Sequence, residues 1–379
     1  MTVEYDKDLS RHNTFGLKVS CACYVEFGSE DELRKIYGAA GEFGFPQPFL
    51  HIGSGSNLLF TRDFPGTVFH SAIRFVRPLD SKEKRPGEDD VILVEVGSGV
   101  LWDDFCAWCA DRGLWGPENL SGIPGEVGSA AVQNIGAYGV EVKDIVKEVR
   151  CLDVVTGEIR ILPAKECRYG YRDSIFKDTA KGRYVVTSVV FMLSSTPAPR
   201  LEYGHVREAV EKVCGPVPVP ASQGNSCSPG PDTQSETEWP EALTPGLVRG
   251  TVIGIRDSKL PDPSVTGNAG SFFKNPVVPK SSYSIVENYA KGRYGEGYSV
   301  PHFDMGSGFI KIPAAWLIEQ CGWKGYLEGN VGVYEKQPLV IVNVTGKAVP
   351  DEIIALENKI VHSVSEKFGI TLHPEVEHV

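Results

Sequence analysis

The sequence predicts an α+β fold with a boundary near residue 200, on three observations. Short apolar runs alternate with helical patterns through the first half, the stretch 215–246 is rich in Pro, Ser, Gly and Thr, and strands mix with amphipathic helices beyond it. In chain order, Tyr24–Phe27 reads as a strand, and Ser29 with Glu32 forms a capping box opening a helix through about Ala40. Phe49–Gly53 is the next strand. "DVILVEVGSG", from Asp90, is a stronger one and leads into the amphipathic helix "WDDFCAWCADRG". "IVKEVRCLDVVTGEIRIL" has the pattern of a hairpin turning at Thr156-Gly157, and "RYVVTSVVFML" that of a long buried strand. The 215–246 stretch has few core-forming residues and reads as a flexible insert or linker. Past it come a helix "PAAWLIEQCGW", a strand "PLVIVNVTG", a helix from Asp351 to about Phe368 opened by Pro350 and ended by Gly369, and a strand-like "ITLHPEVEHV".

The 379 residues, 41% hydrophobic and 23% charged, are enough for two or three domains with real cores. Nine cysteines, an odd number without the dense spacing of a secreted scaffold, point to a reducing cytoplasm. The opening "MTVEYDKDLSRHNTFGL" lacks a basic then apolar leader, and no run of eighteen apolar residues occurs, so neither export by a standard signal nor a membrane span is expected. A net charge of −11 opposes nucleic acid as a general partner. A small anionic ligand remains compatible, since Arg256, Lys259 and Lys274 bracket the segment around Ser271, although solvated surface cations are the plainer reading.

Several motifs carry chemistry. In "FLHIGSGSNLLF", Gly53, Ser54, Gly55, Ser56 and Asn57 follow a strand, where small residues let backbone N–H groups approach a pyrophosphate. Leu58 stands where a dinucleotide fingerprint needs its third glycine, and "NLLFTRDFPGTVF" has the look of a loop into another strand rather than a helix. "ENLSGIPGEVGSAAVQNIGAYGVEV" interleaves Gly122, Gly125, Gly128, Gly136 and Gly139 with Ser121, Ser129, Gln133 and Asn134, which suits a backbone wrapped round a flat or phosphorylated ligand. "ECRYGYRDSIFK" contributes Tyr171, Arg172, Asp173 and Lys177, and Arg172 is either ion-paired with Asp173 or a fixed cation facing a substrate carboxylate or carbonyl. Cys106 and Cys109 imitate a redox or zinc pair, yet their i,i+3 spacing without a second pair fits a buried helix stripe, and no metal site is expected. In "GNAGSFFKNPVV", Ser271 cannot be an elbow nucleophile, because Ala269 and Phe273 occupy the positions that need glycine.

"RHNTFGL", "GSGSNLLF", "SGIPGEVGSAAVQNIGAYGVE", "YRDSIFK", "GNAGSFFKNP", "AAWLIEQCGWKG" and "PEV", in this order and spacing, resemble the UDP-N-acetylenolpyruvoylglucosamine reductase (UDP-N-acetylmuramate dehydrogenase) family of peptidoglycan precursor synthesis, over nearly the whole chain except the insert. The resemblance implies a two-subdomain FAD-binding module of the vanillyl-alcohol-oxidase type (1–75 and 76–200) and a C-terminal α+β substrate-binding domain (201–379). It implies FAD and NADPH as cofactors, with hydride passing from NADPH to FAD and then to the β-carbon of the enolpyruvyl group of a UDP-sugar. By the same resemblance Arg172 and Glu375 stabilise the enol-like intermediate and Ser271 protonates the α-carbon. Tyr171, Tyr203, Lys259, Asn275 and Gln337 contact substrate, Tyr203 marking the subtype with a substrate-covering tyrosine loop. Asn13, Thr14, the Gly53–Leu58 loop, Ser121, Gly122, Ile123, Pro124, Gly125, Gly128, Ser129, Gln133, Asn134, Gly136, Ala137, Tyr138 and Gly139 hold the cofactor. The family's tyrosine before "PHF" aligns on Val300, with Tyr298 two residues earlier, and the chain stops soon after Glu375, so that residue is expected on a terminal strand that must be tied down. A monomeric cytoplasmic enzyme acting on small molecules is expected. A flavin oxidase lacks support from the Ser271 and Glu375 segments, a non-catalytic binding protein would not need the retained arginine, serine and glutamate, and a serine hydrolase lacks a recognisable histidine motif.

Overall fold

The computed structural model describes residues 1–38, 43–79, 90–218 and 239–379. The expected end of the first helix at Ala40 and most of the 215–246 insert (219–238) lie outside the described residues. The chain forms two compact units, one of Met1–Glu26, Ala40–His70 and Asp257–Val379, the other of Phe27–Ala39 and Ser71–Arg256. These cut across the divisions 1–75, 76–200 and 201–379, because shared sheets and cores group residues that sequence order separates.

In the second unit, five antiparallel strands lie in the order Glu158–Pro163, Val146–Asp153, Tyr184–Ser194, Val91–Gly97 and Val76–Pro78. The predicted hairpin is the first pair, with Asp153 opposite Glu158. Tyr184–Ser194 is central and buried along most of its length, which is why it reads as a continuous apolar run rather than an alternating one. Helices Trp102–Ala110 and Val127–Gln133 pack Trp102, Phe105, Ala130 and Ala131 into the same core as Val149, Val189 and Phe191. The first helix, Glu30–Gly38, starts as expected, with Ser29 Oγ accepting from Glu32 N–H at 3.2 Å, although the Glu32 carboxylate reaches back to Gly28 N–H rather than to Ser29. Its Glu30 joins the sheet by accepting from Arg150 at 2.6 and 2.9 Å and from Thr187 at 2.7 Å. Burial pushes the Glu30 carboxyl up, and these hydrogen bonds with the Arg150 charge outweigh it and hold its pKa below the usual value.

The same unit contains two helices outside the sequence-based expectations, Val206–Cys214 and the first part of Pro245–Lys259. With them Val217 and Leu243, at the edges of the insert, are 6% and 5% exposed in a small core with Trp115, Leu201, Val248 and Val252. Val217 sits between Pro216 and Pro218, and Leu243 between Pro240 and Pro245, too short a span to show periodicity, so their burial is a tertiary effect.

The other unit has a sheet ordered Thr2–Asp8, Ser20–Phe27, Phe64–Ser71, Phe49–Ile52, and another ordered Gly267–Asn268, Ile341–Asn343, Val331–Val333, Leu327–Glu328. Phe15, Leu17 and Phe60 share one core with Phe272, Phe273, Leu317, Ile360 and Phe368. Helix Pro350–Phe368 begins and ends at the predicted proline and at Gly369, left-handed with φ 66°. Lys280–Tyr294 is a further helix the sequence reading missed. Val300 is buried in this core, and Tyr298 accepts from the Trp316 indole N–H at 3.1 Å. No helix among the described residues is long and apolar enough to cross a membrane.

Arg150→Met removes the charge-assisted hydrogen bonds that offset the partial burial of Glu30. We expect a loss of about 1–3 kcal/mol in denaturant unfolding; a change under about 0.5 kcal/mol would mean that solvent replaces the pair.

Candidate functional site

In the unit that carries Ser271, four of the motifs meet through backbone. A Cβ on Gly55 would overlap the His12 carbonyl, and Gly55 itself is left-handed at φ +69°, so only glycine lets the "GSGSN" loop lie against the "RHNTFGL" turn. Asn268 N–H donates to Thr14 C=O at 2.9 Å, bringing the Ser271 segment onto that turn. The Asn268 amide, 2% exposed, donates to the carbonyls of Pro261 and Thr266 and accepts from Gly270 N–H. The approach to Ser271 is therefore braced, with Gly270 in the left-handed region at φ +68° and Gly267 packed against the Phe15 carbonyl. Phe272 N–H donates to Leu339 C=O at 2.7 Å, and Glu375 N–H donates to Phe272 C=O at 2.8 Å. Ser271 and Glu375 thus sit on neighbouring main-chain segments.

The 374–379 segment is tied down along its length. Asn57 Nδ2 donates to Glu375 C=O at 3.0 Å, Glu377 N–H to Asn57 C=O at 3.0 Å, and Val379 N–H to Leu59 C=O at 2.9 Å. Glu377–His378 pairs in parallel with Leu58–Leu59. The predicted strand after the glycine loop is Phe64–Ser71, paired with Ser20–Phe27 and Phe49–Ile52, and the intervening Leu58–Leu59, expected as loop, pairs with Glu377–His378 in place of a phosphate-facing helix.

Several polar side chains that the sequence offered as ligands shape their own turns. Asn13 is 4% exposed; its amide donates to Leu9 and Leu17 carbonyls and accepts from Leu17 N–H. Asn275 Oδ1 accepts from Ala314 N–H at 2.9 Å, opening the helix Ala314–Gln320. Gln337 Oε1 faces Leu339 N–H at 3.4 Å, within the turn that holds Phe272. Lys259 is exposed at the end of its helix. In contrast Thr14 Oγ1 and Ser54 Oγ are buried without a hydrogen-bond partner among the described residues. Two unsatisfied hydroxyls in one glycine-lined region are groups a bound polar ligand would satisfy.

The second unit holds the "SGIPGEVGSAAVQNIGAYGVE" and "YRDSIFK" motifs. Gly136–Ala137 and Val140–Glu141 form a hairpin whose turn residues Tyr138 and Gly139 both have positive φ, 48° and 80°. Arg172, itself left-handed at φ 54°, donates to Gly136 C=O at 2.6 Å and to Asn134 C=O at 3.4 Å, with its guanidinium over the Tyr171 ring at 5.7 Å. A Cβ on Gly136 would meet the guanidinium at 2.9 Å and the Val140 carbonyl at 3.0 Å, so arginine and hairpin approach closely here. Asp173 accepts from Ser174 N–H. Asn134, fully buried, spends its side chain on Gly170 C=O, Glu141 and Lys143 N–H, and Ser129 Oγ accepts from Glu126 N–H in the capping box of the helix Val127–Gln133. Tyr203, 44% exposed, lies against Gly139 while Tyr138 lies against Gly204, so the segment carrying Tyr203 adjoins the hairpin. Burial raises the Tyr138 pKa, with Arg256 opposing and Tyr203 adding.

Sequence reasoning missed Asp103 and Asn119. Asp103 accepts from Gly122 N–H at 2.6 Å and pairs with Arg249; burial pushes its carboxyl up, and these partners hold it below the usual range. Asn119, fully buried, donates to the carbonyls of Tyr138 and Arg200. Neither shows in a local pattern, since their partners lie 19 to 146 residues away.

A family model described as an FAD binding domain matches residues 21–162, and one described as the UDP-N-acetylenolpyruvoylglucosamine reductase C-terminal domain matches 262–379. The chain is similar to UDP-N-acetylenolpyruvoylglucosamine reductases from Bacteroides fragilis (strain YCH46), 43% identical over 99% of both chains, and from Porphyromonas gingivalis (strain ATCC 33277), 39% identical over 100% of both. Its fold is similar to that of the crystal structure of the Thermus caldophilus UDP-N-acetylenolpyruvylglucosamine reductase, with a TM-score of 0.60 at 20% identity, covering 100% of this chain and 99% of that one.

Cys106 and Cys109 take no part in these contacts. They are 1% and 0% exposed in the helix core, burial pushes both thiols up, and among the described residues no group of three or more His, Cys, Asp or Glu is placed to hold a metal. Thiol labelling of the native protein should leave both unmodified until denaturant is added; labelling of either one in folded protein would contradict a packing role.

Proposed function

Because the chain belongs to the UDP-N-acetylenolpyruvoylglucosamine reductase family, whose members are FAD-dependent oxidoreductases, we propose that it reduces the enolpyruvyl ether of a UDP-N-acetylglucosamine substrate with NADPH, yielding the muramate precursor of peptidoglycan. The observation that carries this reading is the hydrogen bond between Phe272 and Glu375, which sets a hydroxyl and a carboxyl on adjoining backbone, both tied to the glycine loop.

The residues present fit a flavin dinucleotide. The Gly53–Leu58 loop can approach a diphosphate closely, and Thr14 Oγ1 and Ser54 Oγ have unused hydrogen-bonding capacity. Asn13, Asn134 and Ser129 support the cofactor by fixing turns, as their side chains are committed to protein partners. Backbone groups of Ser121, Gly122, Ile123, Pro124, Gly125, Gly128, Gln133, Gly136, Ala137, Tyr138 and Gly139 complete the proposed set. The chemistry supplied by bound FAD is hydride relay, from NADPH to the enolpyruvyl β-carbon.

Addition of hydride at the β-carbon drives negative charge through the α-carbon into the carboxylate. Arg172 meets that charge with a guanidinium already held by carbonyls, so little reorganisation is needed. Glu375 acts as a protonated or proton-sharing carboxyl, since a second full anion would oppose the charge. Ser271 Oγ gives its proton to the α-carbon; a hydroxyl is a poor acid in water, but a carbanionic centre takes its proton when geometry is fixed and water is excluded. Lys259 and Tyr203 suit the diphosphate, Tyr171 the enolpyruvyl end, and Asn275 and Gln337 the carbonyl and hydroxyl groups. We place the enzyme in the cytoplasm as a monomer, with neither nucleic acid nor membrane as a partner, in keeping with its net charge of −11.

Purified protein should be yellow, bleach with NADPH under anaerobic conditions, and regain colour faster with the enolpyruvyl substrate than with oxygen. Return of colour only with oxygen favours an oxidase. Ser271→Ala should leave reduction by NADPH intact and slow reoxidation by substrate by about a hundred- to ten-thousandfold; equal loss in both halves would remove Ser271 from the proton step. Gly55→Ala should push the loop off the His12–Asn13 backbone and strip flavin absorbance from the purified protein. Full flavin content in that variant would place the cofactor elsewhere.

A further inference from the structure

His378 lies three residues beyond Glu375 and has no part in the chemistry above. Its Nε2 donates to Glu357 Oε2 at 2.8 Å, and Glu357 lies on the helix Pro350–Phe368 with its side chain 10% exposed. The His378 ring also stands edge-on to Phe272, centroids 6.2 Å apart at 86°. One imidazole therefore touches a long helix and the residue next to Ser271 while belonging to the segment that presents Glu375. Val376 is buried at 2% exposure, whereas His378 lies at the surface, its side chain 30% exposed where it meets Glu357.

We infer that His378 is a positioning residue for the proton-delivery step, clamping the Glu375 segment and the Phe272 ring to the Pro350–Phe368 helix through Glu357.

The Glu357 contact adds a side-chain tie to a segment whose ladder pairing is short. Glu377–His378 matches only Leu58–Leu59, and a two-residue parallel ladder opens easily by itself. The Asn57, Thr61 and Leu59 hydrogen bonds hold the segment to the glycine-loop strand, whereas the Glu357 contact ties it to the Pro350–Phe368 helix. The hydrogen bond to Glu357 raises the His378 pKa against the effect of burial. A shift of the segment moves the Glu375 backbone and, through Phe272, the Ser271 backbone with it.

This inference rests on the roles proposed for Ser271 and Glu375, and its test separates the two. In the flavin-loaded enzyme, His378→Ala should speed hydrogen exchange in the 374–379 peptide, leave flavin reduction by NADPH unchanged, and slow reoxidation by the enolpyruvyl substrate on the order of ten- to a hundredfold. His378→Gln, which keeps a donor toward Glu357, should recover both properties in part. Unchanged exchange in His378→Ala overturns the inference, and so does faster exchange with unchanged reoxidation or with equal slowing of both half-reactions. Glu375→Gln is measured alongside: slow reoxidation there with an unaffected His378→Ala leaves the proposed function standing and removes the clamp alone. Unchanged reoxidation in Glu375→Gln removes the role of Glu375 and the inference built on it.

Discussion

The hydrogen bond from Glu375 N–H to Phe272 C=O, with the Asn57 side chain on the Glu375 carbonyl, joins three segments that sequence separates by up to 318 residues. Main-chain groups at such a junction have one donor and one acceptor each, so their pairing dictates where the attached side chains begin. Ser271 and Glu375 inherit their placement from it. A serine or a carboxylate anchored only by its own side chain would have to lose more conformational freedom on reaching a reactive geometry.

The polar residues of the motifs divide into two kinds. Asn13, Asn57, Asn134, Ser129 and Asn268 spend their side chains on backbone groups and build the turns. Thr14 and Ser54 keep buried hydroxyls without a partner among the described residues, an arrangement that costs free energy unless something polar arrives. A motif rich in amides and hydroxyls is thus only partly a list of ligand contacts. Its larger share is the scaffolding that lets glycine backbone approach closely, as at Gly55 and Gly136.

Much of the architecture was legible in order. The Val146–Asp153 and Glu158–Pro163 hairpin, the strand Tyr184–Ser194, the helix Trp102–Ala110 and the proline-to-glycine limits of the last helix all derive from periodicity and turn chemistry. Of the helices that escaped, Val206–Cys214 carries legible helical spacing at Val206, Val210, Val213 and Cys214, whereas in Lys280–Tyr294 serines, tyrosines and charged residues blur the period. Asp103 and Asn119 escaped for a different reason: their roles exist only through Arg249, Gly122, Tyr138 and Arg200, which no local window contains.

By itself the sequence determined which residue types were available for the chemistry and the type of most elements, because alternation, helical spacing and special turn residues act within a few positions. Tertiary structure decided which side chains were consumed as braces, that the last residues pair with Leu58–Leu59, and that His378 meets Glu357. Those outcomes depend on desolvation and hydrogen-bond satisfaction among groups far apart along the chain, and such competition is settled only when the core closes.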